Sequence, residues 1–388
     1  MLWKGERIAK RDLWFLGVLS LLVVGLLLIP QGWYVGPSPS GSRTRSHINA
    51  ERVRATVLET DDSSVNQFGM VKTGDQTVTV RIETGRFATL EMDANNMLIG
   101  NMGMDKVFAP GEQALVTLTL GPDGETIVDA IAVDHYRIHT EAILVGVFAV
   151  LLILLAYWTG AKALFSFFFA GVLIWKVLLP AFLAGWNPIL IAFAVVSLLT
   201  FVIIFLIGGL TLRGVVGFLG SMTGVGLTAL FAILFGHLMN VHGAVRQFSE
   251  TLLYSGFPHL DLTSIFIAGI FIANSGAVMD IGIDIAAAMS EVRANRPSIG
   301  FLDLVASGMT VGRAIIGTMT TTLLLAYSGG YTTLLMMFMA QQTPVINVLN
   351  FNYVAAEILH TLVGSFGLLM VAPATALIGG IMYTKRRP

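Results

Sequence analysis

NSGAVMDIGIDIAAAMSEVRANRPSIGFLDLVASGMTVGRAIIGTMTTTLLLAY, residues 274–327, decides how the rest of the chain is read. It sets two acids, Asp280 and Asp284, in otherwise apolar helical sequence. A short polar loop follows, and a second helix carries Arg313 and a run of threonines. An acid in a segment that crosses lipid costs at least a few kcal/mol, so it normally faces a protein interior or a water-filled path.

Composition makes that reading general. The chain has 388 residues, a mean hydropathy of +0.77, 55% hydrophobic residues and 12% charged ones. Soluble chains carry about twice that charge, so most of this surface must face lipid. The fold class expected is an α-helical polytopic membrane protein. A net charge of -1 argues against nucleic acid as a partner. The absence of cysteine excludes disulfides, zinc–thiolate sites and iron–sulfur clusters.

Ahead of this stretch, MLWKGERIAKRDLWFLGVLSLLVVGLLLIPQGWY opens with a basic lead and an apolar run from Leu13 to Ile29. No Ala-x-Ala site follows, and Trp33 and Tyr34 stand where interfacial aromatics belong, so an uncleaved first span is expected rather than a signal peptide. Lys4, Arg7, Lys10 and Arg11 then hold the N-terminus in the cytoplasm by the positive-inside rule. The first division of the chain is residues 1–35.

Residues 36–138 break the hydrophobic pattern. Gly36–Ser46 is a linker by composition. RVRATVLE, QTVTVRIE, RFATLEM and ALVTLTL then alternate between Gly, Asp and Asn turns, which predicts a small all-β, OB-like domain on the outer side. The third division, residues 139–388, is expected as a seven-helix bundle. Its spans are Ala142–Tyr157, Ala163–Leu179, Pro188–Ile207, Val215–Gly236, Leu262–Asp284, Met309–Tyr327 and Ala355–Ile381. Tyr331–Ala340 is too short to cross and is read as interfacial or re-entrant, near residues 331–345. With the first span this gives eight, both termini inside, in a bacterial plasma membrane. Lys162, Arg213, Arg293, Arg296 and Lys385–Arg387 fall on one side, with Arg246 the main exception.

GAVMD (Gly276–Asp280), the GR-x-x-x-GTM-x-x-TLLLAY run (Gly312–Tyr327) and VGSFGLLMVAPATALI (Val363–Ile378) resemble the bacterial YibE/F-like family of multi-pass membrane proteins. The likeness is close from Ala142 onward and loose over the β domain. The family pattern commonly has an acid after the Arg and an Asn within the threonine run. Ala314 and Thr321 stand in those places here, which puts any role needing them in doubt. The resemblance implies no established activity. A more distant likeness is to half of a SecD/SecF or resistance-nodulation-division transporter, in which an intramembrane Asp is followed by a charged turn resembling SEVRANRP (Ser290–Pro297) and a threonine motif resembling TMTTTLLL (Thr318–Leu325). That likeness implies a proton-relaying aspartate.

From the residues themselves, Asp280 and Asp284 are i,i+4 and share a helical face. Two carboxylates in a low dielectric repel, which suits a proton or cation relay. The plainer reading leaves Asp284 solvated at the helix end with only Asp280 buried. Arg313 either pairs with one of them or snorkels to the interface. Asn274, Thr318, Thr321 and Thr322 suit a polar path, although helix threonines most often return hydrogen bonds to the preceding turn. Glu357 and His360 form an E-x-x-H pair that suits an outer titratable mouth. A di-iron centre needs two such pairs, so no metal and no cofactor are expected. Met92, Met97, Met102 and Met104 suggest packing before copper. GSMTG (Gly220–Gly224) and GMTVG (Gly308–Gly312) suggest close helix packing. No Walker A loop, zincin motif or nucleophile elbow occurs, so an enzyme is disfavoured.

The leading expectation is a secondary transporter or exporter driven by a proton or cation gradient through Asp280. Its partners would be membrane lipid and a small solute or ion of unknown identity. The competing expectation is a non-transporting scaffold or envelope-assembly factor whose β domain binds an extracytoplasmic protein.

Overall fold

A computed structural model describes residues 10–29 and 50–385. Lys4, Arg7, Trp33, Tyr34, the Gly36–Ser46 linker, Arg386 and Arg387 lie outside the described residues, as do the side chains of Lys10 and Arg11. The chain divides between Leu151 and Leu152 into two compact units, with the first helix joining the later one.

The smaller unit is a five-stranded barrel of β1 (Ala50–Phe68), β2 (Val71–Ile82), β3 (Glu91–Ile99), β4 (Gln113–Leu120) and β5 (Ile127–His135). Its strand order, β1-β2-β3-β5-β4, closes because β1 pairs with both β2 and β4. Period-two alternation does the folding: Val78, Val80 and Ile82 point inward on β2, and Ala114, Val116 and Leu118 on β4. Buried Gln76 exchanges two 3.0 Å bonds with the backbone of Phe108 and so holds the β3–β4 connection. The RFATLEM segment is not one strand. Arg86 to Thr89 turns, β3 begins only at Glu91, and β5 carries a weaker alternation that the sequence reading passed over.

The larger unit is helical. It comprises α1 (Lys10–Leu28), most of α2 (Ile138–Leu173), a π-turn (Ile174–Leu178) into α3 (Leu179–Leu183), α4 (Pro188–Gly208), α5 (Leu212–Leu238), the short α6 (Ser249–Tyr254), α7 (Leu262–Asn295), α8 (Phe301–Ser328), α9 (Thr332–Ala340), the short α10 (Val345–Asn350) and α11 (Asn352–Lys385). Among the described residues, six stretches are long and apolar enough to cross a membrane: Ile138–Leu183, Pro188–Gly208, Leu212–Leu238, Leu262–Asn295, Phe301–Ala340 and Asn352–Lys385. Trp14–Leu28 is a shorter apolar helix.

The pair expected at Ala142–Tyr157 and Ala163–Leu179 comes as two helical segments divided at Tyr157, whose φ of 48° and ψ of -126° are not helical. The bend brings Gly160 against the carbonyl of Leu152, where a side chain would not fit. The segment expected to lie separately at Tyr331–Ala340 is α9, which follows α8 through a single 3-10 turn, Gly329–Tyr331.

Helices α5, α7, α8 and α11 form the centre, and glycines set their spacing. A methyl at Gly224 would lie 2.7 Å from Val278 and 3.0 Å from Val371; one at Gly312 would lie 2.8 Å from Ala372 and 3.1 Å from Ile285. Lipid supplies no hydrophobic drive between helices, so close backbone approach and van der Waals contact hold them.

Candidate functional site

Polar groups meet at the end of the bundle where α7 and α11 begin and α8 finishes. Arg246, in the α5–α7 connection, donates through Nη1 to Glu357 Oε2 at 3.3 Å and to Tyr331 Oη at 3.4 Å. Its Nη2 lies 3.4 Å from His360 Nδ1, and its guanidinium stands 5.1 Å from the Phe266 ring centre. His360 Nδ1 is in turn 3.1 Å from Glu357 Oε1. The E-x-x-H spacing puts both α11 side chains on one face, one turn apart.

Burial grades inward. The Arg246 side chain is 41% exposed, Glu357 12% and His360 9%. A neutral imidazole Nδ1 can donate to Glu357 or accept from Arg246, not both. Whichever tautomer the ring takes, Nε2 is buried and lacks a hydrogen-bond partner among the described residues. The Tyr327 ring packs against the imidazole at a 4.4 Å centroid distance. Its hydroxyl donates at 3.1 Å to Oδ1 of Asn274, whose Nδ2 donates at 2.7 Å to the Ile270 carbonyl. Asn274 is fully buried. Hydrogen bonds thus run from half-exposed Arg246 to His360, and across the His360–Tyr327 ring contact a further one reaches Asn274, inside the bundle.

Beside it opens a groove of about 340 Å³ between α8, α9 and α11. Leu324, Leu334, Leu335, Ile358 and Leu362 line it, and Glu357 is its only charged lining residue.

The other expected site residues are placed differently. Asp280 and Asp284 do share a face of α7, but that face is exposed, away from Val278, Ile281 and Ile285, which enter the core. Arg313, Thr318, Thr321 and Thr322 are exposed on α8. Among the described residues no hydrogen bond or ion pair joins Arg313 to either acid. Thr318 donates to the Ile315 carbonyl at 2.9 Å and Thr322 to the Thr318 carbonyl at 3.1 Å, the local bonds that helix threonines favour. Met97, Met102 and Met104 are exposed on the barrel, whereas Met92 packs against its core.

The sequence profile of the YibE/F-like protein family matches residues 144–385, well over half of the chain. The chain belongs to the YibE/F-like family. No curated protein and no solved structure matches it. Family membership and the six long apolar helices make this YibE/F-like protein an integral membrane protein. Every residue of the polar cluster, from Arg246 to His360, falls inside the matched span, and the barrel precedes it.

The E-x-x-H pair was legible as a pattern; its partners were not. Arg246 had signalled itself only as a basic residue on the wrong side of the charge count. Tyr327 stood only as the end of a span and of the TLLLAY run, and Tyr331 as the start of a short apolar segment.

Proposed function

We propose that this YibE/F-like protein is a secondary transporter or exporter energised by a proton or cation gradient. In this reading the Arg246–Glu357–His360 cluster is the titratable gate, Asn274 and Tyr327 extend it inward, and Asp280 with Asp284 forms a second titratable station. The observation that carries it is His360: a buried imidazole, held by a carboxylate on Nδ1 and with no partner for Nε2 among the described residues, beside a groove that opens within the spans. Ionisable groups in a bundle are costly and mark ion or substrate paths more often than packing. An imidazole can take a proton on one ring nitrogen while the other holds a carboxylate, which is the chemistry a relay needs. A small solute or ion would use the groove, with Glu357 as its charged contact.

The test is proton flux into liposomes holding the purified full chain under an imposed pH gradient, for wild type, His360→Gln and Asp280→Asn. Loss of at least tenfold in His360→Gln, with folding intact, is the expected result. Wild-type flux that persists in both variants sinks the relay.

A second reading, a scaffold whose barrel binds a protein partner, has its own observation. The β1–β2 turn exposes Phe68 and Met70, and Ile99, on the strand paired with β2, is exposed near the same end. Such apolar groupings mark interaction surfaces.

A further inference from the structure

Faces of α7 and α8 that turn away from the bundle are not built for hydrocarbon. The exposed positions of α4 and α11 include Leu190, Leu198, Leu369 and Leu377, as lipid requires. On α8 the exposed stripe runs from Leu302 to Leu324, and its middle is Ala306, Thr310, Ala314, Gly317 and Thr321, with Arg313 at its edge. Steps of three and four residues place these on one helical face, opposite the Gly308–Gly312 face that packs inward. On α7 the exposed stripe is Gly269, Ala273, Gly276, Asp280 and Asp284, again at steps of three and four.

Among the described residues no packing contact requires the glycines at 269, 276 and 317, since a methyl added at any of them would meet nothing within 4 Å. Each nevertheless weakens its helix relative to alanine. The charges point the same way. Asp280, Asp284 and Arg313 are exposed, and none has a hydrogen bond or ion pair among the described residues. Arg313 and Asp284 also lie at one depth. Gly312 meets Ile285 across the α7–α8 contact, and Arg313 and Asp284 are their immediate neighbours, with Asp280 one turn away.

We propose that this face is the interface of a two-fold homodimer within the membrane, in which Arg313 of each copy pairs with Asp284 and Asp280 of the other. A two-fold axis along the membrane normal preserves depth, so groups at one level in one copy meet groups at that level in its partner. The face carries both signs of charge and is therefore complementary to itself. Small residues let the backbones approach, as membrane helix pairs require. The acids, exposed on one chain, become enclosed between two.

Because the chain has no native cysteine, single-cysteine variants report cleanly. The full chain with Gly317→Cys, in lipid nanodiscs or native membranes, is expected to give a covalent dimer with a bis-maleimide, and Leu369→Cys on α11 is not. Wild type in nanodiscs is expected at twice the 41.7 kDa chain mass. Arg313→Glu should lower the dimer fraction at least tenfold, and Arg313→Asp combined with Asp284→Arg should restore it, which separates lost pairing from lost folding. A monomeric wild type, including one held by some other membrane protein, overturns the proposal. So does a dimer indifferent to Arg313→Glu.

Discussion

His360 is packed as a core residue yet keeps a polar atom with nothing to bond, and its surroundings hold it there tightly. Gly364, one turn further along α11, sits so close to the Asn274 side chain that a methyl would overlap it. Gly364→Ala must therefore push Asn274 away and break its bond to Tyr327. Overpacking of this kind costs about 1–3 kcal/mol, and thermal unfolding in detergent should show a lowered midpoint. A midpoint equal to wild type would mean that the Asn274–Tyr327 contact is not tight. Glu357 and His360 were readable from spacing because one helix supplies both. Arg246, Tyr327 and Asn274 come from three other segments, and no local pattern announces a meeting of that kind.

Helix ends carry their own chemistry. Asp261 caps α7: its carboxylate accepts from the Ser264 amide at 3.0 Å and from the Ser264 hydroxyl at 2.5 Å. Burial alone would raise its pKa, but these bonds to Ser264 and one from the Thr263 amide outweigh it and hold the group below the ordinary Asp range. The stabilisation is thus present above the unfolded value of about 3.9 and is lost as pH falls through the lower folded value. Asp261→Asn keeps an acceptor without a titration. Melting midpoints of that variant should therefore fall less than wild type between neutral pH and the acid range, and equal acid sensitivity would count against the cap. Elements were legible where a pattern repeats: the period-two strands of the barrel and the long apolar runs. The division at Tyr157 was legible as well, as the end of an apolar run, although a bulky residue there takes a conformation that glycine adopts more readily. The α8–α9 continuation was not, since it joins two segments by one 3-10 turn, which composition does not distinguish from a loop.

At the scale of the molecule, two units with separate cores share one chain. The barrel closes on its own hydrogen bonds and buries its own apolar face. Residues 50–136 expressed alone should melt cooperatively as a β protein. Phe68→Ser with Met70→Ser should leave that melting within about 0.5 kcal/mol, because exposed positions contribute little. If the scaffold reading holds, the same double variant of the full chain should lose its crosslinks to a partner in cells. Crosslinks at wild-type level would remove the turn as a docking surface. The transport and dimer proposals make the opposite demand, since their residues lie in the helical unit and not in the barrel.

What the sequence determined by itself was class and family: hydropathy dictates helices where backbone groups have no water to bond, alternation dictates a sheet, and the GAVMD and TLLLAY runs mark the family. Tertiary structure decided which polar residues face inward. Asp280 read as an interior group from the cost of exposing it, yet α7 turns Asn274, Val278, Ile281 and Ile285 inward and leaves Asp280 on its outer face. The polar groups enclosed are instead Glu357, His360 and Asn274, with half-exposed Arg246 at the edge. Helical periodicity fixes which residues share a face; only the packing of neighbouring helices fixes which way that face points.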